Sequence, residues 1–245
     1  MAADWIVPDW PAPSSVKAMS TTRTGGVSVG KYATLNLGDH VGDVPAAVAE
    51  NRRRLRETLK LPHEPRWLKQ VHGTRVARLQ GEAVAGNADA ALAQARGEVC
   101  AILTADCLPV LFCNAGGTEV GAAHAGWRGL AAGVLESIIA AMSAKPEEIL
   151  VWLGPAIGSL SYEVGNDVRR AFVDQMPEAA AAFLPGKSEG KWWCDLYRLA
   201  RERLRKIGVT RVYGGGLCTY SEPARFFSFR RDGECGRMAT LIYIR

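Results

Sequence analysis
Histidine and long apolar runs are what this chain has least of. Four of its 245 residues are histidine (His40, His63, His72 and His124), so any imidazole chemistry rests on very few positions. No stretch reaches the ~18 to 20 unbroken apolar residues of a membrane helix. The best candidate, residues 99–113, is interrupted by Asp106 and Pro109. The opening MAADWIVPDWPAP lacks the basic start and continuous apolar core of a secretory signal. These absences predict a soluble, cytoplasmic protein with no membrane partner. Six cysteines are present but no Cys-x-x-Cys pair, which removes a zinc ribbon and a thioredoxin-type redox motif. In a reducing compartment the thiols stay free, and most are expected to be small core hydrophobes. Internal repeats and low-complexity linkers are also missing, and 26 glycines with 12 prolines suggest neither collagen nor disorder.

The formal net charge is +5. A nucleic-acid partner would need the cations clustered with aromatic or base-reading motifs. The one dense run, Arg52, Arg53, Arg54 and Arg56, overlaps a Leu55/Leu59/Leu61 register and reads as the solvated face of an amphipathic helix. No nucleic-acid partner is expected. With 48% hydrophobic residues the chain can bury a large core, read as one domain over residues 1–245.

Periodicity places a strand at 16–24 running into the Gly25-Gly26 turn, and a helix from Pro45 to about Lys60, stopped before Pro62. Alternation suggests a strand over 67–79, bent at Gly73. Residues 99–113 read as strand buried on both faces and broken around 106–109, followed by a short buried strand at 119–123. A helix then runs from the Gly126-Trp127-Arg128-Gly129 stretch to about Met142. Further expectations are a strand at 149–153, a helix at 166–174, and a basic helix to Lys206 capped by Asp195. Strands are expected at 211–213, 226–230 and 238–244, with a turn at Asp232-Gly233. The spacing is not the regular strand–helix alternation of a doubly wound sheet, so the class is α+β with mixed sheets.

His63, in the proline-bounded LPHEP, reads as surface, and His40 follows a polar Gly38-Asp39 turn. His72, in KQVHGT, precedes a glycine that lets the backbone bend and expose the ring. His124 ends the small-residue strand GAAHAGW, which leaves room around it. Cys107 lies in TADCLP, where Asp106 and Pro109 break an apolar strand. An ionisable group inside a buried strand is costly without a partner. A metal, or a Cys–His catalytic pair, would provide one. Two nitrogens and one thiolate suit zinc with an open fourth position, which would acidify a bound water toward pKa ~7. Asp106 is a candidate orienter or proton acceptor beside this site, or a turn cap. A second polar cluster, Thr21 to Gly26 with Arg23 at its centre and then Asn36-Leu37-Gly38, has the hydroxyls, guanidinium and exposed amides that a phosphate-type oxyanion needs. An ordinary glycine turn with a surface arginine has the same composition.

STTRTGG, LNLGDHVGD, WLKQVHG, LTADCLPVLF, AAHAGWRGL, WLGPAIG, YEVG and the closing FFSFRRDGECGRMATLIYIR follow in order across nearly the whole chain. That series resembles the YfiH-type laccase-domain family, described as purine nucleoside phosphorylases. The resemblance implies a single-domain, four-layer αββα sandwich with two mixed sheets between helices. It implies a zinc, with copper as the alternative metal, held by His72, Cys107 and His124, and a role for Arg23 in phosphate binding. The implied reaction takes adenosine, inosine, guanosine or methylthioadenosine with phosphate to base and ribose 1-phosphate, with adenosine deaminase as a side activity. Cys235 departs from the threonine more often found after RRDG in the family.

The family's older label, multicopper polyphenol oxidase, needs about ten histidines for a laccase copper cluster; four are present. Oxidation at a single copper survives that count. Two other readings compete: a metal-free cysteine hydrolase with Cys107 as nucleophile and His124 or His72 as base, and action on peptidoglycan precursors, to which some relatives are linked. His40, Trp127 and Arg128 are the candidates for lining a purine pocket. The sequence is compatible with a monomer or a homodimer.

Overall fold
The computed structural model describes residues 4–79 and 86–245; residues 1–3 of the opening segment lie outside it. In chain order the first half forms β1 (Val16–Ser20), α1 (Pro45–Leu59), β2 (Arg66–Trp67), β3 (Val76–Leu79), β4 (Ala90–Ala93), β5 (Val99–Thr104), β6 (Leu108–Asn114) and β7 (Val120–Ala125). There follow α2 (Trp127–Ala132), α3 (Val134–Ala141), β8 (Ile149–Leu153), β9 (Glu163–Gly165), α4 (Asn166–Val173), β10 (Phe183–Pro185) and β11 (Lys191–Cys194). The chain closes with α5 (Leu196–Lys206), β12 (Arg211–Gly214), α6 (Phe229–Asp232) and β13 (Met238–Ile244).

Two mixed sheets dominate: a four-stranded one ordered β1-β13-β5-β2 and a six-stranded one ordered β12-β8-β6-β7-β4-β3. A small antiparallel sheet, β10-β11-β9, stands apart from both. The strand periodicity of two sorts side chains between layers. Val99, Ala101 and Leu103 of β5 pack with Leu55 of α1, whereas Cys100 and Ile102 face the other sheet. In the six-stranded sheet, Leu111, Cys113, Ala122, Leu150 and Trp152 point to that same inter-sheet core. Val110, Phe112, Ala123, Val151 and Leu153 alternate with them and meet apolar residues of α2, α3, α4 and α5. The result is the expected αββα sandwich.

Several local expectations needed correction. The apolar segment at 99–113 is not one broken strand: β5 belongs to the four-stranded sheet and β6 to the six-stranded one, and the chain crosses between layers at 105–107. Likewise β2 and β3 lie in different sheets, and the loop between them carries His72. The helix after Gly126 is split at Gly133 (φ 98°), which ends α2 and starts α3. Residues 226–230 are not a strand. Phe226 and Phe227 are buried, and Ser228 caps α6 by accepting from the Arg231 amide at 3.2 Å. Of the four arginines on α1, Arg52 is not solvated: its guanidinium lies 4.4 Å from the Trp67 ring centre and donates to the Leu37 carbonyl.

Phe112 is fully buried between the six-stranded sheet and its helices. Phe112→Ala should destabilise the protein by about 3–5 kcal/mol, read as a lower urea midpoint; an unchanged midpoint would contradict the packing described.

Candidate metal centre
The crossover between the sheets places Asp106 and Cys107 at the end of β5 and β6, with Asp106 in the left-handed region (φ 88°). His124 arrives from the penultimate position of β7, opposite Pro109 on β6. The loop after β2 delivers His72, also with positive φ (61°). Gln70 fastens this loop to β5, donating to the Leu103 carbonyl and accepting from its amide, both at 2.8 Å. One donor atom from each of His72, Cys107 and His124 lies within 4.8 Å of the others. The two imidazole rings meet edge to face, 4.6 Å between centres.

Behind the histidines sits Asp89, a residue that the sequence did not single out. It is fully buried and accepts from His124 Nδ1 at 2.9 Å. It also accepts from the backbone amides of Val71, His72 and Gly73, at 3.1, 2.8 and 2.8 Å. An aspartate among alanines at the mouth of β4 was the available signal, but its meaning depends on loops distant in sequence. Burial alone would raise its pKa; the bonds from His124, Gly73 and Val71 outweigh that and hold it below the usual carboxylate value. Burial opposes a charge on His124, yet Cys107 and Asp89 overcome it and raise its pKa to about 9. His72 shifts downward, through burial and then through the charge of His124.

The donor set fits a metal on three observations. Nδ1 of His72 is buried with no hydrogen-bond partner among the described residues, a cost that a bound cation would remove. The space beside it exists because residue 126 is glycine: a Cβ there would lie 2.5 Å from His72 Nδ1 and 3.0 Å from Cys107 Sγ. Two imidazoles and a thiolate are ligands of zinc and of copper alike.

The three residues line one wall of a cavity of about 500 Å³. His40, Trp127 and Arg128, the candidates for a purine pocket, line it too, joined by Tyr162, Phe229, Arg230 and Arg237. Asp106 also reaches the wall, but its oxygens accept from the Thr219 hydroxyl at 2.6 Å and the Arg230 amide at 2.7 Å. It ties α6 to the crossover. Arg23 and Asn36 are not on this wall. Arg23 donates to the carbonyls of Ala33 and Pro223 and stacks 4.6 Å from the Phe227 ring centre. Asn36 is fully buried, bonding Gly38 and Asp43 and accepting from the Arg237 amide. Asn36 thereby braces the loop that carries Arg237, and Arg23 fastens the 33–34 and 223 segments through its Nε and one terminal nitrogen. His63 lies elsewhere and contacts the Gly97 carbonyl. Cys100, Cys113, Cys194 and Cys235 are buried free thiols, with pKa values raised by burial.

A metal needs the lone pair that His124 otherwise keeps protonated, so uptake must displace that proton. Zinc binding near neutral pH should therefore release protons and tighten as pH rises toward about 9. Calorimetry in buffers of different ionisation enthalpy measures this; pH-independent uptake without proton release would contradict it.

Comparison with known proteins agrees with the geometry. A family model described as multi-copper polyphenol oxidoreductase laccase matches residues 17–245. The purine nucleoside phosphorylase YfiH of Escherichia coli is 54% identical over 240 residues, covering 98% of each chain. A purine nucleoside phosphorylase of Pseudomonas aeruginosa is 53% identical over 241 residues, again covering 98% of each. The crystal structure of Neisseria meningitidis protein NMB0706 superimposes with a TM-score of 0.94 at 52% identity, covering 98% of this chain and 99% of that one. YlmD from Geobacillus stearothermophilus gives 0.88 at 34% identity, covering 100% and 97%. The family model over residues 17–245, the identities to these relatives and the superposition together place the chain in the YfiH-type laccase-domain family.

Proposed function
We propose that this chain is a cytoplasmic, zinc-dependent purine nucleoside phosphorylase. It would act on adenosine, inosine, guanosine and methylthioadenosine and deaminate adenosine as a side reaction. The observation that carries the reading is a single cavity in which a His-Cys-His donor set faces three arginines and three aromatic rings. Relatives at 53–54% identity bear the name purine nucleoside phosphorylase, which supports the substrate class.

Arg128, Arg230 and Arg237 line the cavity and are phosphate-binding candidates beside Arg23 and Asn36. Arg230 and Arg237 donate to backbone carbonyls, and none of the three pairs with a carboxylate among the described residues. Guanidinium groups match phosphate oxygens in pairs. Trp127, Tyr162 and Phe229 offer flat apolar faces to a purine. Phosphorolysis requires a phosphate oxygen to bond C1′ of the sugar as the C1′–N9 bond breaks, with the electron pair and a proton going to the purine. Holding phosphate and nucleoside in one cavity supplies orientation for that exchange. Zinc, when bound, supplies a Lewis acid and acidifies water to about pKa 7, the chemistry that deamination needs.

Cys107, His124 and Asp89 also stand in the thiol–imidazole–carboxylate order of a cysteine hydrolase. That second reading leaves Nδ1 of His72 buried and unpaired, whereas the metal reading uses both histidines.

Purified protein should carry about one zinc per chain, as catalytic sites with three protein ligands do, and convert adenosine and phosphate to adenine, ribose 1-phosphate and some inosine. His72→Ala, Cys107→Ala and His124→Ala should each lose metal and turnover. Arg128→Ala should keep the metal and raise KM for phosphate about 10- to 100-fold, the worth of a charged hydrogen bond. A folded, metal-free protein without purine turnover would shift the assignment to the hydrolase.

A further inference from the structure
We infer that Asp89 is the positioning residue that builds both histidine ligands at once, an inference that rests on the metal reading of the site. Its two oxygens divide the work. Oδ1 accepts from the His72 amide at 2.8 Å and from His124 Nδ1 at 2.9 Å. Oδ2 accepts from the amides of Val71 at 3.1 Å and Gly73 at 2.8 Å. Three successive N–H groups converging on one anion form a nest, and a nest requires backbone that turns inside out. That is the conformation of His72, whose φ of 61° lies in the left-handed region that a residue with a side chain adopts only at a cost. The carboxylate therefore holds the 71–73 loop in the shape that aims His72 at the cluster.

On the other side, the bond to Nδ1 sets the tautomer of His124. With the Nδ1 proton committed to Asp89, Nε2 is the nitrogen left to face Cys107 and a metal. The main chain of Asp89 locks the same pair, since its carbonyl accepts from the His124 amide at 2.7 Å and its amide donates to Arg75. One buried carboxylate thus couples a loop and a strand that meet only in the folded protein.

Asparagine discriminates this role from simple space-filling. It has the same size but one acceptor oxygen. If its NH₂ takes the Oδ1 place, it confronts the His72 amide and drives His124 to the Nε2–H tautomer, removing a ligand. If the NH₂ takes the Oδ2 place, it confronts two amides of the nest and releases the loop.

The test is zinc affinity of the full chain by competition with a chromogenic chelator, together with ¹⁵N NMR of the histidine rings. Asp89→Asn should remain folded by circular dichroism and bind zinc about 10- to 100-fold more weakly, the usual cost of losing such a partner. Zinc-loaded wild type should show the His124 proton on Nδ1. Unchanged zinc affinity in folded Asp89→Asn overturns the inference while leaving the metal site standing. A wild-type His124 protonated on Nε2 overturns it even if the variant fails to fold. Wild type that takes up no zinc removes the metal reading and this inference with it.

Discussion
Between the two large sheets, contacts are made by small and branched apolar side chains: Ala91, Cys100, Cys113, Ala122, Leu111 and Ile242, closed at one side by Trp152. Strands β5, β6, β7 and β8 are consequently buried on both faces, and few polar groups are tolerated along them. Ionisable chemistry is driven to the strand ends, where the chain passes from one layer to the other. The candidate metal centre lies there because the crossover at 105–107, the end of β7 and the loop before β3 all emerge at that edge.

Polar groups at this edge are nevertheless buried, and each needs a partner. Asp89 answers for three loop amides and one imidazole, and Asp106 answers for Thr219 and the first turn of α6. Two carboxylates therefore brace the cavity, Asp89 fixing the donor cluster from behind and Asp106 fixing the wall that bears Phe229 and Arg230. Nδ1 of His72 is the exception in this arrangement: among the described residues it has no hydrogen-bond partner, which is what a metal ligand awaiting its ion would show.

The glycine-rich segment near the beginning has a quieter role than its composition suggests. Arg23 stacks on Phe227 and fastens two loops, and Asn36 accepts from the amide of Arg237. Both stand one step behind the cavity. Composition alone does not tell how many of a guanidinium's donors are engaged within the protein; for Arg23, Nε and one terminal nitrogen are.

Periodicity was enough to reveal α1, α5 and β13, since an amphipathic face or an apolar run reports its own environment. The polar interruption at Asp106 and Cys107 and the small residues around His124 also marked the metal-ligand candidates, because a polar group inside an apolar strand needs a partner wherever it lies. What sequence patterns did not resolve were relations between distant segments. That the apolar segment at 99–113 serves two sheets, that residues 226–227 are buried before a short helix, and that Arg23 bonds the carbonyls of Ala33 and Pro223 follow from pairing across layers. Asp89 is the clearest case: alanines surround it in the chain, and its four donors come from residues 71–73 and 124. Local sequence determines which segments are apolar and which positions are costly to bury; only the folded layers decide which partner meets that cost, because hydrogen bonds are made in space and not along the chain.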